Sequence, residues 1–222
     1  MSSRTAAIVL RLAGATLALF AMGYQLLAVH IPAGYSVLNF FSYFTNLSNI
    51  MIAIVFVVSA VRLIDGRTDP SATDVALRGG VVVYILFVGL VFNTLLRDVD
   101  LGDLLPWVNG ILHFLLPVLG LVDWILWPPR RRLPLSVVGW WMIWPAVYAI
   151  AAVVRGAITG FYPYPFFDPA ASGGYGGVAL LCVGMVVGFL ILALGIRAIG
   201  NWLSERRWQD EAETDPPVAS TA

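Results

Sequence analysis

Two side chains in otherwise apolar stretches have the types that ester chemistry requires, a threonine and a histidine. Thr45 lies in the run FFSYFTNLSN, and His113 lies in the run WVNGILHFLLP. A threonine hydroxyl becomes a nucleophile when a base takes its proton, and histidine, which titrates near neutral pH, suits that task. The amides of Asn49 and Asn109 are candidates to hold an oxyanion. Together these residues predict acyl transfer.

The same two residues also have a purely structural interpretation. A threonine in a membrane helix usually donates its hydroxyl hydrogen to the carbonyl four residues back, and a single histidine more often bridges two helices than catalyses a reaction. On spacing alone, the structural interpretation of Thr45 and His113 is the more frequent outcome.

The composition is that of a polytopic membrane protein. Of 222 residues, 59% are hydrophobic and 12% are charged, and the mean hydropathy is +0.85. A membrane span needs about 20 apolar residues, and continuous apolar stretches without alternation favour helices over a β-barrel. We predict an all-α protein with six transmembrane helices, at Thr5 to Val29, Leu38 to Ile64, Ala76 to Leu96, Pro106 to Trp127, Leu135 to Thr159 and Gly176 to Ile199.

The distribution of arginines predicts the orientation of these spans. If the spans alternate in direction, eleven of the thirteen arginines fall on the side of the N-terminus, and Arg97 and Arg155 fall on the other. Positive residues favour the cytoplasmic side, so both termini are expected there. Residues 1–200 would form the membrane domain. Residues 201–222, acidic and containing proline, would form a disordered cytoplasmic tail.

The composition also bears on cofactors and partners. The single cysteine, Cys182, rules out a disulfide framework, and with only two histidines beside it we expect no structural metal. No motif suggests a nucleotide, a redox cofactor or nucleic acid. We therefore expect no cofactor, and we expect membrane lipids and a lipid-like ester substrate as partners. The sequence does not give the oligomeric state.

A depth estimate places the threonine and the histidine at one level. Counted from Leu38 and Pro106, each lies seven residues into its helix, about 10 Å below the outer boundary at 1.5 Å per residue. Pro117 lacks an N–H and favours a kink at the level of His113. In helix 2, Phe40 and Phe44 are expected to face lipid. Other polar residues on these helices are expected to contact substrate: Ser42, Asn46, Asn49, Asn93, Asn109, Tyr148 and Arg155.

Three short motifs resemble the androgen-induced, FAR-17a-like family of six-helix membrane proteins. They are YFTNLSN in the second helix, WVNGILHFLLP in the fourth, and FYPYPFFD after the fifth. The resemblance implies the six-helix fold. It also implies a threonine hydrolase of fatty acid esters of hydroxy fatty acids, in which Thr45 matches the nucleophile and His113 the base.

The match is firmer in the fourth helix than in the second. In the second helix this chain has TNLSN, where the animal members have Thr, two apolar residues and a single Asn or Asp. That departure leaves Ser42 as an alternative nucleophile.

The expected function is a membrane-embedded lipid esterase. The alternatives are a small-molecule carrier or lipid-binding protein without catalysis, and a structural protein whose polar residues fix helix packing. The aromatic loop 161–177 is expected to be an interfacial belt or a lid.

Overall fold

The computed structural model describes residues 3–67, 69–99 and 103–214, with side chains as far as residue 207. The described chain is helical and contains no strand. We number its six long helices α1 to α6: Ser3–His30, Phe44–Ile64, Ala72–Leu96, Pro106–Leu126, Ser136–Thr159 and Tyr175–Thr214. Each is long and apolar enough to cross a membrane. The predicted all-α fold with six helices of membrane-spanning length is confirmed.

Helix α3 is the central helix of the bundle. It packs against α2, α4, α5 and α6, whereas α1 packs mainly along α2 and α4. Side chains in the middle of α3, such as Val82 and Ile85, have no exposed surface, because the helix meets neighbours on several sides. The helix is apolar around most of its circumference, as expected for one enclosed by others.

The end of the bundle that carries the two termini is held together by side-chain to backbone bonds. The buried amide of Asn201 on α6 donates to the carbonyl of Leu133 and accepts from its N–H, at 3.1 and 2.8 Å. Trp127 donates its indole N–H to Ser3 Oγ at 3.0 Å. We call this the termini end. The opposite end, which carries residues 31–43, 97–99, 103–105 and 160–174, is called the site end.

A buried carboxylate joins three helices near the termini end. Asp123 on α4 is fully buried and accepts from Arg11 on α1 at 2.7 Å and from Arg78 on α3 at 2.8 Å. Arg78 also donates to the backbone carbonyl of Asp123 at 2.7 Å. One carboxylate thus holds two guanidinium groups, and the cluster carries one excess positive charge.

The largest differences from the predicted helix boundaries are at the start of the second span and at the end of the sixth. The second span begins at Phe44 rather than Leu38, because a separate one-turn helix, Val37–Phe40, precedes it. The expectation that Phe40 and Phe44 face lipid is wrong: they are 5% and 6% exposed, since the change of chain direction between the two helices turns both inward.

The predicted tail boundary also moves. Helix α6 continues to Thr214, so residues 201–214 are helical rather than disordered, and Asn201 and Ser204 are buried. The hydrogen bonds between Asn201 and Leu133 account for the ordered first turn beyond residue 200. The rest of the predicted tail, residues 215–222, lies outside the described residues.

We predict that Asp123→Asn destabilises the fold by about 3–5 kcal/mol, because it leaves two buried guanidinium groups without their counter-charge. The free energy of unfolding in detergent micelles measures the effect. The matched control is Asp69→Asn. Asp69 pairs with Arg131 at 3.3 Å, but both side chains are mostly exposed, and an exposed pair contributes at most about 1 kcal/mol. Equal effects of the two substitutions would contradict a structural role for the buried cluster.

Candidate active site

Thr45 lies in the first turn of α2, which begins inside the bundle at the site end. Two polar side chains stabilise the break that precedes it: Ser42 donates to the carbonyl of Leu38 at 2.6 Å, and Asn46 donates to that of Phe40 at 2.7 Å. The polar residues of this run therefore satisfy carbonyls that a continuous helix would have bonded. As a result, Thr45 is the second residue of a helix rather than the eighth.

Two tyrosines bind the backbone N–H groups at this helix start. The N–H of Phe44 donates to Tyr148 Oη and that of Thr45 donates to Tyr164 Oη, both at 3.1 Å. Tyr148 in turn donates to the carbonyl of Ser42 at 2.8 Å. The first N–H groups of a helix have no partner within it, and burying them unpaired is costly. The tyrosines remove that cost and fix the position of Thr45.

The hydroxyl of Thr45 lies between a base and a phenol. Its Oγ1 is 3.3 Å from His113 Nε2 and 3.2 Å from Tyr164 Oη. All three side chains are buried. One set of donors fits these contacts: the Thr45 N–H donates to Tyr164, the phenol to Thr45 Oγ1, and the threonine hydroxyl to His113. The candidate nucleophile and the candidate base are therefore within hydrogen-bond reach.

The imidazole of His113 is held in a locally widened helix. Residues Ile111–Leu115 of α4 form a π-helical segment, in which the N–H of Leu116 donates to the carbonyl of Ile111, five residues back. The sequence predicted a kink at this level from Pro117, and the structure has a π-helical segment there. The ring stacks on Phe92 of α3, with centroids 4.1 Å apart and an angle of 28° between the planes.

Close contact between α3 and α4 at this level depends on a glycine. A Cβ atom at Gly89 would lie 3.2 Å from the carbonyl oxygen of His113 and from Pro117. The absence of a side chain at Gly89 therefore lets α3 approach the distorted turn of α4. That approach brings Phe92 onto the histidine ring.

The second ring nitrogen of His113 has no side-chain partner. Nδ1 is buried and makes no hydrogen bond of standard geometry, although the backbone of Asn109, one turn earlier, is close enough to influence it. For Nε2 to accept the proton of Thr45, Nδ1 must carry the ring hydrogen, and the Asn109 carbonyl is the acceptor suited to that tautomer. No carboxylate orients the ring.

Tyr164 is a protonated donor at neutral pH. Burial in the bundle raises the pKa of its phenol to about 12. Its hydroxyl therefore keeps its hydrogen and can donate to Thr45 Oγ1 or to a negative oxygen that forms beside it. Tyr164 was not among the predicted site residues. It lies in the aromatic run FYPYPFFD, and no pattern in that run distinguishes it from Tyr162.

Two cavities meet at Thr45. The first, called the polar chamber, has a volume of about 600 Å³, lies at the site end, and includes Thr45, Tyr164 and His113 in its wall, together with Asp103 and Asp168. The second, called the apolar pocket, has a volume of about 100 Å³ and lies between α3, α5 and α6. Its wall also includes Thr45 and Tyr164, but not His113. It is otherwise formed almost wholly by apolar side chains: Phe44, Phe87, Met142, Ala149, Cys182, Met185 and Phe189, among others.

Several residues predicted to contact substrate lie elsewhere. Asn93 is exposed and donates to the carbonyl of Gly89 in its own helix, because its position on α3 faces away from the bundle. Asn49 donates to the carbonyl of Thr45, and neither Asn49 nor Asn109 lines a cavity. The structure therefore does not bring the two predicted oxyanion donors to the face of Thr45 that meets the cavities.

The remaining predicted residues are close to the site but have other partners. Asn46 lines the polar chamber, and Tyr148 lines the apolar pocket. Ser42 donates to a backbone carbonyl and has no hydrogen bond to a base. Arg155 donates to Asn39 Oδ1 at 2.6 Å and lies over the ring of Phe161, while its Nη1 is buried without a partner.

Within the part of the chain that the structure describes, no three His, Cys, Asp or Glu side chains gather where they could hold a metal ion. Comparisons with protein families, with curated proteins and with solved structures find no match for this chain. The chemistry assigned to the site therefore rests on its own geometry.

We predict that Tyr164→Phe lowers the free energy of unfolding by about 1–3 kcal/mol, because the buried N–H of Thr45 loses its acceptor. Thermal unfolding in detergent measures the loss. Tyr24→Phe is the matched control, since Tyr24 is 45% exposed and its hydroxyl accepts no buried backbone N–H. A Tyr164→Phe protein as stable as the Tyr24→Phe protein would show that the phenol does not support the start of α2.

Proposed function

We propose that the protein is a membrane-embedded threonine hydrolase that cleaves lipid esters. The observation that carries the proposal is the 3.3 Å separation of Thr45 Oγ1 and His113 Nε2 at the junction of a polar and an apolar cavity. A hydroxyl beside an unprotonated imidazole is an activated nucleophile. A lipid ester is the substrate that needs both kinds of cavity.

The proposed reaction has two balanced steps. Thr45 Oγ1 attacks the ester carbonyl carbon, and its proton passes to His113 Nε2 and then to the departing alkoxide, which leaves as an alcohol. Water next attacks the acyl-threonine, gives one proton to His113, and displaces Thr45 Oγ1, which recovers that proton. The net change is ester and water to acid and alcohol, with no change in oxidation state.

The oxyanion would be stabilised at the start of α2. Helix N-termini carry a partial positive charge, and Thr45 is the second residue of α2. The Tyr164 hydroxyl is a hydrogen-bond donor at the same point. These two groups replace the asparagine amides that the sequence suggested.

The resemblance to the androgen-induced family supports fatty acid esters of hydroxy fatty acids as the substrate. Arg155 is the candidate for the carboxylate of such an ester, since its Nη1 is buried without a partner and two of its neighbours, Asn39 and Phe161, line the polar chamber. Asp103 and Asp168 line the same chamber and would repel that carboxylate.

We place the protein in a cell membrane with both termini in the cytoplasm, because most arginines lie at the termini end. The polar chamber then opens at the outer face. A basic complement of thirteen arginines and no lysine is typical of GC-rich bacterial genomes, which supports a bacterial plasma membrane.

The second candidate is a lipid carrier or binding protein without catalysis. The observation that favours it is the lack of a carboxylate partner for His113 Nδ1, because hydrolases of this type usually orient the base with a third group. In that case a lipid ester would bind saturably and be recovered intact, and loss of the Thr45 hydroxyl would leave the binding unchanged.

We expect Thr45→Ala and His113→Ala each to reduce hydrolysis of a long-chain ester by at least about 100-fold, because each removes one half of the nucleophile and base pair. Release of fatty acid from detergent micelles, followed by mass spectrometry, measures the rate. Thr94→Ala is the matched control: Thr94 is exposed and donates to the carbonyl of Leu90. Full activity of Thr45→Ala would refute the mechanism. Loss of activity in Ser42→Ala alone would identify Ser42 as the nucleophile instead of Thr45.

We expect Arg155→Gln to raise the KM for an ester that carries a free carboxylate by about 10-fold or more, since a hydrogen bond to a charged group contributes about 1.5–3 kcal/mol. The KM for the matching methyl-capped ester should not change. An equal rise for both esters would show that Arg155 acts only through its bond to Asn39.

A further inference from the structure

The two cavities that meet at Thr45 differ in which reacting groups they contain. Thr45 and Tyr164 line both cavities, whereas His113 lines only the polar chamber. A substrate whose carbonyl carbon lies against Thr45 Oγ1 can therefore extend one part into each cavity. The position of His113 decides which part enters which cavity.

The proton transfers of ester hydrolysis set the orientation. The departing alcohol oxygen must take its proton from His113, and the attacking water must give a proton to it, so both have to lie on the histidine side of the carbonyl. That side is the polar chamber, which also admits water. The acyl chain must then leave the carbonyl carbon on the other side, toward the apolar pocket.

We propose that the pocket between α3, α5 and α6 binds the acyl chain of the ester, while the polar chamber binds the alcohol part and the hydrolytic water. The proposal rests on the proposed function and adds to it a direction for the substrate. It also assigns a ligand to the apolar pocket. Of the residues in the wall of this pocket, only Thr45 and Tyr148 were among the site residues predicted from the sequence.

The pocket has the size and the chemistry for an aliphatic chain. Its volume is about 100 Å³. A cavity of about 150 Å³ holds benzene, so the enclosed part fits roughly four carbon atoms. Among the described residues in its wall there is no Asp, Glu, Lys or Arg. The first carbons of an unbranched chain therefore fit the enclosed part of the pocket.

The pocket opens toward the lipid between α5 and α6. Ala146 on α5 and Val186 on α6 both belong to its wall and are exposed on the membrane face of the bundle. Carbons beyond the enclosed part can therefore continue along this opening into the bilayer. The pocket consequently accepts long chains, and an ester can enter sideways without leaving the membrane.

Photo-crosslinking tests the pocket without requiring turnover. The probe is palmitic acid with a diazirine near its carboxyl group, added to the Thr45→Ala protein in micelles. We expect labelling of Phe189, which belongs to the wall of the pocket and is only 1% exposed. Ala149→Phe, which fills the pocket, should abolish that label, whereas Ile150→Phe on the lipid face should not. Labelling confined to lipid-facing residues, unchanged by Ala149→Phe, would overturn the proposal.

The dependence of rate on chain length tests the orientation. In the wild-type chain, Ala149→Phe should lower the rate for acyl chains longer than about four carbons by about 10-fold or more, with little effect on acetyl esters. Lengthening the alcohol part instead should produce no such loss. Ala146→Phe, with Val147→Phe as its control, provides a second plug at the lipid opening if Ala149→Phe does not fold.

The outcomes separate the two proposals. Label on Phe189 without ester cleavage in the wild type would refute the hydrolase and leave the acyl pocket as a binding site. Ester cleavage by Thr45 with no label on Phe189 would refute the acyl pocket alone. If Ala149→Phe discriminates against long alcohol parts rather than long acyl chains, the substrate lies in the opposite direction and the proposed orientation is wrong.

Discussion

The site depends on a helix that begins inside the bundle. The first N–H groups of α2 cannot be bonded within the helix and are shielded from the membrane surroundings, so the fold has to supply acceptors. Tyr148 from α5 and Tyr164 from the following loop supply them. Because each phenol binds a backbone group next to the Thr45 side chain, the bonds that make the helix start stable also determine where the hydroxyl lies.

The same constraint brings together three elements that are far apart in the chain. The phenol of Tyr164 contacts both the backbone and the hydroxyl of Thr45, and the imidazole of His113 approaches from the opposite helix. The distorted turn of α4 that carries the histidine packs against α3 at Gly89. Irregular backbone thus occurs in both walls of the site, at residues that line the polar chamber.

The two ends of the bundle differ in how tightly their helices are joined. At the termini end, Asp123 ties α1, α3 and α4 through buried ion pairs, and Asn201 ties α6 to the loop before α5. At the site end, the helices separate enough to leave two cavities. Unfilled volume and unpaired polar atoms at the site end lower the stability of the fold. The buried contacts at the termini end offset that loss.

The sequence by itself determined the class of the protein and picked out Thr45 and His113, whose side chains the structure brings to within 3.3 Å of each other. Six apolar stretches of membrane length predict six helices whatever their packing, and Pro117 predicts the distortion at His113 from the loss of a single N–H. Only the tertiary structure decided that α2 starts at Phe44, because that start needs acceptors from Tyr148 and Tyr164, more than 100 residues away. Hydropathy measures the cost of leaving water, and it contains no information about which distant side chain will satisfy a buried N–H. For the same reason Asn49 and Asn93, polar and at a suitable depth, turned out to bond carbonyls of their own helices.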